Sequence, residues 1–301
     1  MKKTLISVVG PTAIGKTKLA IELAKHYQTA IISADSRQFF KEMKIGTAVP
    51  SEEELATAPH HFIQHKSILE SYSVGDFERD AIQLLEDLFQ EKNIVILVGG
   101  SGLYIDAITK GLDNFPEVQP EIRITLNKQL EKEGITALQE QLKNLDPYYF
   151  NKVDIQNPHR LIRALEICIG TEKPYSSFLN KEKNIRPFNI VTVSIDAERD
   201  IIYDRINQRV DLMIKEGLID EVKLLLKHKD LNALQTVGYK ELFNYLDEKW
   251  SLDFAISEIK KNTRRFAKRQ LTWFRKNEKT IWVDYNYKIS EILNMLEKIK
   301  E

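Results

Sequence analysis

Residues Gly10 to Thr17 read GPTAIGKT, a full match to GxxxxGK[ST], set between a β-rich run and a helical pattern. The run is TLISVV (Thr4 to Val9); the pattern is KTKLAIELAKHY, with Leu19, Ala20, Leu23, Ala24 and Tyr27 along one face. Strand, glycine loop and helix in that order form a phosphate-binding unit. The backbone N–H groups make an anion nest at the positive end of the helix. Gly10, Pro11, Thr12, Ala13, Ile14, Gly15, Lys16 and Thr17 are the expected diphosphate ligands. Lys16 neutralises terminal phosphate oxygens, and Thr17 offers its hydroxyl to Mg²⁺. A chance glycine-rich turn is the alternative, and motif, context and N-terminal placement together oppose it. The loop does not select one ligand: ATP, GTP and isoprenyl diphosphates all fit.

Further β-type runs are AIIS (Ala30 to Ser33), NIVILV (Asn93 to Val98), NIVTVSI (Asn189 to Ile195) and TIWVDY (Thr280 to Tyr285). Alternating with helical patterns, they predict an α/β fold: a P-loop NTPase-like parallel sheet with helices on both faces. The helix before NIVILV keeps Phe77, Ala81, Leu84, Leu85, Leu88 and Phe89 on one face, with Asp76 as its expected N-cap. Between Asp113 and Pro187 the strand signal stops. Helical stretches at 121–133, 135–145 and 158–169, punctuated by prolines, predict a smaller all-helical insertion over 113–187. The catalytic core is then 1–112 and 188–301.

The chain has 301 residues with 44 Lys and Arg against 44 Asp and Glu, so any polyanionic partner must meet a local patch. The opening MKKTLISVVG has a basic start and an apolar run, but GPTAIGKT interrupts it without a small-residue cleavage site, which predicts a buried strand instead of a signal peptide. No run approaches bilayer-spanning length, so no membrane partner is expected. Cys168 is the only cysteine, consistent with a reducing cytoplasm. No heptad pattern is present, and a monomer is expected.

Asp35 and Ser36 follow the second strand at the carboxyl edge, where α/β sheets bind ligands. Asp35 reads as a general base or a partner of Mg²⁺; the alternative is an Asp that only caps the next helix. Gln38 reads as a weaker candidate for an adenine edge. NIVILV ends in Gly99-Gly100-Ser101-Gly102-Leu103-Tyr104 without an acid, which argues against a motor or GTPase. That glycine string predicts close approach of backbone to ligand, with Ser101 at the mouth of a helix.

From Ile259 to Asn277 there are eight basic residues and no acidic one. Helical spacing sends Ile259, Phe266, Trp273 and Phe274 towards the core and leaves cations free to track phosphates; a merely solvated, ion-paired face is the alternative. NPHRLIRALEI opens another helix, with Asn157 as N-cap and Pro158 at its first position. There His159, Arg160 and Arg163 share a surface suited to a diphosphate or RNA backbone, although Arg160 reads equally as an ion-pair partner. His60, His61 and His65 match no zinc spacing, Cys168 reads as core, and Trp250, Trp273 and Trp282 read as packing groups.

Eight strings in order, GPTAIGKT, DSRQFF, GTAVP, PHHFI, VGGSGLY, NPHRLIRALEI, GYKE and FAKRQLTWFRK, closely resemble the bacterial tRNA dimethylallyltransferases over nearly the whole chain. The resemblance implies transfer of a dimethylallyl group from dimethylallyl diphosphate to the exocyclic amine of adenosine 37, in tRNAs reading codons that begin with U. It implies Mg²⁺ as cofactor, the anticodon stem-loop as partner, residues 10–17 on the diphosphate and Asp35 as base. It further implies that Asp35, Ser36, Arg37 and Gln38 contact the target adenosine, and that Ser101 sits between diphosphate and tRNA. Arg123 and the segment His159, Arg160, Leu161, Ile162 and Arg163 would be further tRNA contacts. Val49 and Gln64 depart from the Lys and Asp common in the family's strings. A P-loop small-molecule or nucleoside kinase is the runner-up and leaves the basic helix without a role. A transferase acting on free adenine nucleotides is a further enzyme reading, and a non-enzymatic RNA binder leaves GPTAIGKT beside Asp35 unexplained.

Overall fold

TLISVV forms β1 (Thr4–Val9), every residue of which is buried. In the computed structural model, which describes residues 2–179 and 185–300, the other strands are β2 (Ile31–Ser33), β3 (His60–His61), β4 (Ile94–Val98), β5 (Asn189–Asp196) and β6 (Ile281–Asp284). They make one six-stranded sheet in the order β3-β2-β4-β1-β5-β6, all pairs parallel. The sequence runs predict five of these strands. His60–His61 is the sixth, and a two-residue strand is too short to show a period.

Along β1 the side chains alternate between two cores, as a pleated strand requires. Ile6 and Val8 pack with α1 (Lys16–Tyr27), where Leu19 and Leu23 are fully buried. Leu5 and Val9 pack with Phe77, Ala81 and Leu85 on the opposite side. Each large apolar side chain so buried contributes about 1.5–3 kcal/mol. A short helix α2 (Glu52–Thr57) precedes β3, and Phe77 belongs to α3 (Val74–Glu91). Ser73, not Asp76, caps α3: its hydroxyl accepts the Asp76 N–H while the Asp76 carboxylate accepts the Ser73 N–H, so Asp76 is the returning half of a capping box. Helix α4 (Gly102–Lys110) follows β4.

The chain divides into two compact units, Met1–Lys110 with Arg186–Glu301, and Gly111–Ile185. Where the chain re-enters the first unit, Arg186 donates to the carbonyls of Ala107 and Ile108 and pairs with Glu78, fastening the returning segment to the end of α4. The second unit holds α5 (Pro120–Glu133), α6 (Ile135–Leu145), α7 (Pro147–Phe150) and α8 (Pro158–Thr171). Its core is Leu126, Leu138, Leu142, Leu161, Ile162, Ala164, Leu165 and Cys168. The Cys168 sulfur accepts the Tyr175 N–H at 3.2 Å, and burial pushes its thiol pKa up.

In the first unit β5 leads into α9 (Arg199–Lys215), α10 (Leu218–Leu224), α11 (Tyr239–Leu246) and α12 (Leu252–Phe274), and β6 is followed by α13 (Ile289–Lys300). A third apolar cluster joins Val210, Leu218, Val222, Tyr239, Leu242 and Ile259 of these helices to Phe40 and Met43.

Asp146 is 1% exposed, and its carboxylate accepts the N–H groups of Tyr149 and Ser176 and the Ser176 hydroxyl. Asp146→Ala leaves those donors without an acceptor and is expected to destabilise the helical unit by about 3 kcal/mol. Hydrogen exchange that accelerates in 111–185 and leaves the sheet amides protected is the expected observation.

Candidate functional site

Val98 of β4 lies opposite both Val8 of β1 and Ser33 of β2, so three adjacent strands end level. The loops that leave them, residues 10–15, 34–38 and 99–101, therefore emerge side by side at the carboxyl edge. Thr12 of the first loop with Lys16 and Thr17 just after it, residues 35–38 and residues 99–101 line one cavity of about 480 Å³ with residues from α9, α10 and α12. Ala13 and Gly15 line an adjoining cavity that shares Lys16, Thr17 and Arg209 with it.

In the first loop Gly15 has φ 108° and Ala13 φ 64°, a turn that aims successive amides inward. The N–H groups of residues 13–17 have no acceptor among the described residues. Lys16 donates to the Pro11 carbonyl at 2.7 Å. Burial pushes its ammonium pKa down to about 8, against the pull of Asp35 and with the help of Arg209. Two arginines from one face of α9 flank this loop: Arg205 Nε donates to the Ala13 carbonyl at 2.8 Å, and Arg209 Nη1 to the Thr12 hydroxyl at 3.2 Å. Sequence reasoning missed both, because an amphipathic helix holding arginines is the commonest of patterns and their target is nearly 200 residues away.

Asp35 lines the same cavity as Lys16, Thr17 and Arg209. Its Oδ1 accepts the Arg37 N–H at 3.2 Å, so one carboxylate oxygen takes up the capping role while Oδ2 has no hydrogen-bond donor among the described residues. Ser36 ties the second loop to the third: its N–H donates to Ser101 Oγ at 3.3 Å, and the two hydroxyls are 3.3 Å apart. Arg37 and Gln38 behave differently from the expectation. Arg37 Nη1 donates to the carbonyls of Asn232 and Ala233, and Gln38 Nε2 to those of Thr47 and Ala48. Both side chains brace neighbouring loops, and the amide donors that an adenine edge would need are committed to backbone. Glu221 completes that bracing by accepting the N–H groups of Lys44, Ile45 and Gly46 and the Tyr239 hydroxyl.

The glycine string lines the cavity and also makes room for protein. A Cβ on Gly100 would fall 2.2 Å from Gln270 Nε2, and one on Gly102 would fall 2.4 Å from the Trp273 ring. Both partners lie on α12. Gln270 Oε1 accepts the Thr12 N–H at 2.9 Å and its Nε2 donates to the Gly100 carbonyl at 2.9 Å, so one side chain joins the phosphate loop to the glycine loop. This residue was also missed, and FAKRQLTWFRK held its only signal. Phe266 does not enter the core as its spacing predicts. It is 38% exposed and lines the cavity, because that face of α12 turns to the opening and not to the sheet. Trp282 is likewise 37% exposed on β6, so it is not a core packing group.

Part of the remaining cavity wall is apolar: Val98, Ile206, Val210, Met213, Leu218 and Ile259. A cationic floor with open amides, an apolar wall and a carboxylate beside them suit a diphosphate ester with a short hydrocarbon group and an acceptor that must lose a proton. Among the described residues no cluster of His, Cys, Asp and Glu is placed to hold a metal ion by itself. The Thr17 hydroxyl is a hard oxygen donor lining the cavity, one that fits Mg²⁺ when a diphosphate supplies further oxygens.

In the helical unit Arg123 grips the buried Glu166 through Nε at 3.0 Å and Nη2 at 2.8 Å, and Arg163 adds Nη1 at 2.9 Å. Burial would raise the Glu166 pKa, but the two guanidiniums hold it below the usual carboxylate range. His159 and Arg160 are exposed on the first turn of α8. Leu161 and Ile162 are not available as surface contacts: both side chains are packed in the core of this unit, as the helical period requires of that face.

A family model described as IPP transferase matches residues 38–277. The chain is 59% identical to a tRNA dimethylallyltransferase of Flavobacterium johnsoniae, over 99% of each protein. It is 61% identical to one of Christiangramia forsetii, over 99% of this chain and 98% of that one. The fold superposes on the full-length tRNA isopentenylpyrophosphate transferase of Bacillus halodurans with a TM-score of 0.73 at 39% identity, covering 99% of this chain and 96% of that one. It superposes on a eukaryotic dimethylallyltransferase acting on tRNA with a TM-score of 0.79 at 26% identity, covering 94% and 74%.

Because the Lys16 ammonium titrates near 8 in the free site, it is charged below that pH and largely neutral above it. Inorganic diphosphate binding, followed by calorimetry from about pH 7 to about pH 9.5, is expected to weaken above pH 8 by up to about tenfold per unit. In Lys16→Met binding is weak throughout and the inflection near 8 is absent.

Proposed function

This chain belongs to the IPP transferase family, and from that premise we propose how its residues move a dimethylallyl group from its diphosphate to a tRNA adenine. Its activity is that of a tRNA dimethylallyltransferase. The observation that carries the residue assignment is the convergence of Lys16, Thr17, the Asp35 carboxylate and an apolar wall in one cavity, with open amides of the phosphate loop on an adjoining cavity that shares Lys16, Thr17 and Arg209.

Dimethylallyl diphosphate lies with its phosphates on residues 10–17, its charge met by Lys16 with Arg205 and Arg209 alongside, and its hydrocarbon against the apolar wall. The target is the exocyclic amine of adenosine 37 in tRNAs that read codons beginning with U. That amine is a poor nucleophile. A bond forms between its nitrogen and C1 of the dimethylallyl group as the C1–O bond to diphosphate breaks; Asp35 accepts the proton, and the bonding pair leaves with the diphosphate. Amides aimed at the bridging and terminal oxygens, with Lys16, stabilise the departing charge. Mg²⁺, held by Thr17 and the diphosphate, would neutralise further charge there. Ser101, joined to Ser36, stands between the donor loop and the adenosine.

The adenosine must leave the anticodon-loop stack to reach this cavity, a small cost in a single-stranded loop. Exposed His159 and Arg160 of the helical unit contact the tRNA backbone, whereas Arg123 and Arg163 serve the Glu166 network first. The protein works in the cytoplasm as a monomer. No described helix is long and apolar enough to cross a membrane.

Purified protein supplied with Mg²⁺, dimethylallyl diphosphate and unmodified tRNA is expected to yield prenylated adenosine by nucleoside mass spectrometry. Asp35→Ala should lower kcat by about 10²–10⁴ without weakening diphosphate binding. A variant that retains its turnover removes Asp35 from the role of base.

A further inference from the structure

One face of α12 carries Phe266, Arg269 and Trp273 at helical spacing, and Lys276 follows just past its end. Phe266 and Trp273 both line the cavity. Trp273 is held in place: its ring lies against Gly102 and its Nε1 donates to Asp106 at 3.1 Å. Phe266 is not buried by any such contact. It and Leu103, 48% exposed, are large apolar side chains left open at the cavity rim. Each ring is faced by a cation, Arg269 at 5.8 Å from the Phe266 centroid and Lys276 at 5.4 Å from that of Trp273. Neither cation has a carboxylate partner among the described residues. The result is a row of π-faces alternating with uncommitted positive charge, leading out of the cavity.

An exposed aromatic ring at a cavity mouth is unfavourable in water and unused by the diphosphate chemistry. Extruding one base from a loop leaves its neighbour with an unstacked face, and single-stranded nucleic acid is held by aromatic platforms with cations along the backbone. We propose that Phe266 is the stacking platform for the anticodon-loop nucleotide adjacent to the extruded adenosine, with Arg269 on the adjoining phosphate. The assignment rests on the reaction set out above. It makes Phe266 a substrate-positioning residue for RNA and not for the prenyl donor.

Two anticodon stem-loop hairpins, with 2-aminopurine immediately 5′ or immediately 3′ of the target adenosine, test this with the full-length protein. Binding to the native protein is expected to change the fluorescence of one of them by stacking. Phe266→Ala should abolish that change and raise KM for the hairpin on the order of tenfold, the weight of one base–aromatic stack, with KM for dimethylallyl diphosphate unmoved. Phe266→Trp should restore both readouts, and Phe266→Leu, which keeps apolar bulk without a π-face, should not. An unchanged hairpin KM, an equal rise in the donor KM, or full rescue by leucine overturns the proposal. Because Phe266 lies at the surface, an unchanged Tm in each variant separates these effects from misfolding. Fluorescence is read without turnover, so a native protein that stacks the hairpin but never prenylates it overturns the assigned reaction and leaves the platform standing.

Discussion

Parallel strands can be joined only by crossovers, so loops far apart in the chain leave one sheet edge together. Here β2, β4 and β1 are neighbours and end level, and everything at the site depends on that register. It places the phosphate loop, Asp35 and Ser101 around one cavity although they span about ninety residues of sequence. A slip of one residue in any of the three strands would turn their core side chains to the wrong face, so the apolar packing that stabilises the fold also fixes the site.

Charge in the cavity is balanced locally. Lys16 and Arg209 face Asp35, and the proximity of the two cations would be costly in the free site without that carboxylate. A bound diphosphate takes over their compensation and leaves Asp35 available for a proton. The loops that hold these groups are braced by hydrogen bonds that no substrate need break: Gln270 between two loops, Glu221 under residues 44–46, Arg37 and Gln38 across to their neighbours. Rigid support around a charged centre is what keeps its donors aimed at a developing charge instead of relaxing around the ground state.

The helical unit follows a different logic. The string that opens α8 commits Arg163, beside Arg123 of α5, to a buried glutamate and two aliphatic side chains to a core, so only part of an apparently RNA-binding string remains at the surface. The basic helix α12 is divided in the same way. One face supplies Gln270 and Phe274 to the interior, another carries aromatic rings and cations at the cavity rim, and Lys260 and Lys261 are paired with Asp211 and Glu258.

Whatever depended on near neighbours in the chain was legible from the amino acids. GPTAIGKT between a strand and a helix, the long strand runs, the helical insertion and the Asn157-Pro158 helix start all express local conformational rules and short-range periodicity. The loss of an acid after NIVILV and the presence of Asp35 after a strand were legible for the same reason. Pairings across long separations were not. That Gln270 would hold Thr12, that Arg205 and Arg209 would flank the phosphate loop, and that Gly100 and Gly102 would make room for α12 were settled only by how helices settle on the sheet. Periodicity states which residues share a face of a helix; it does not state what that face meets, and so the packing alone decided that Phe266 opens to a cavity and Leu161 and Ile162 do not.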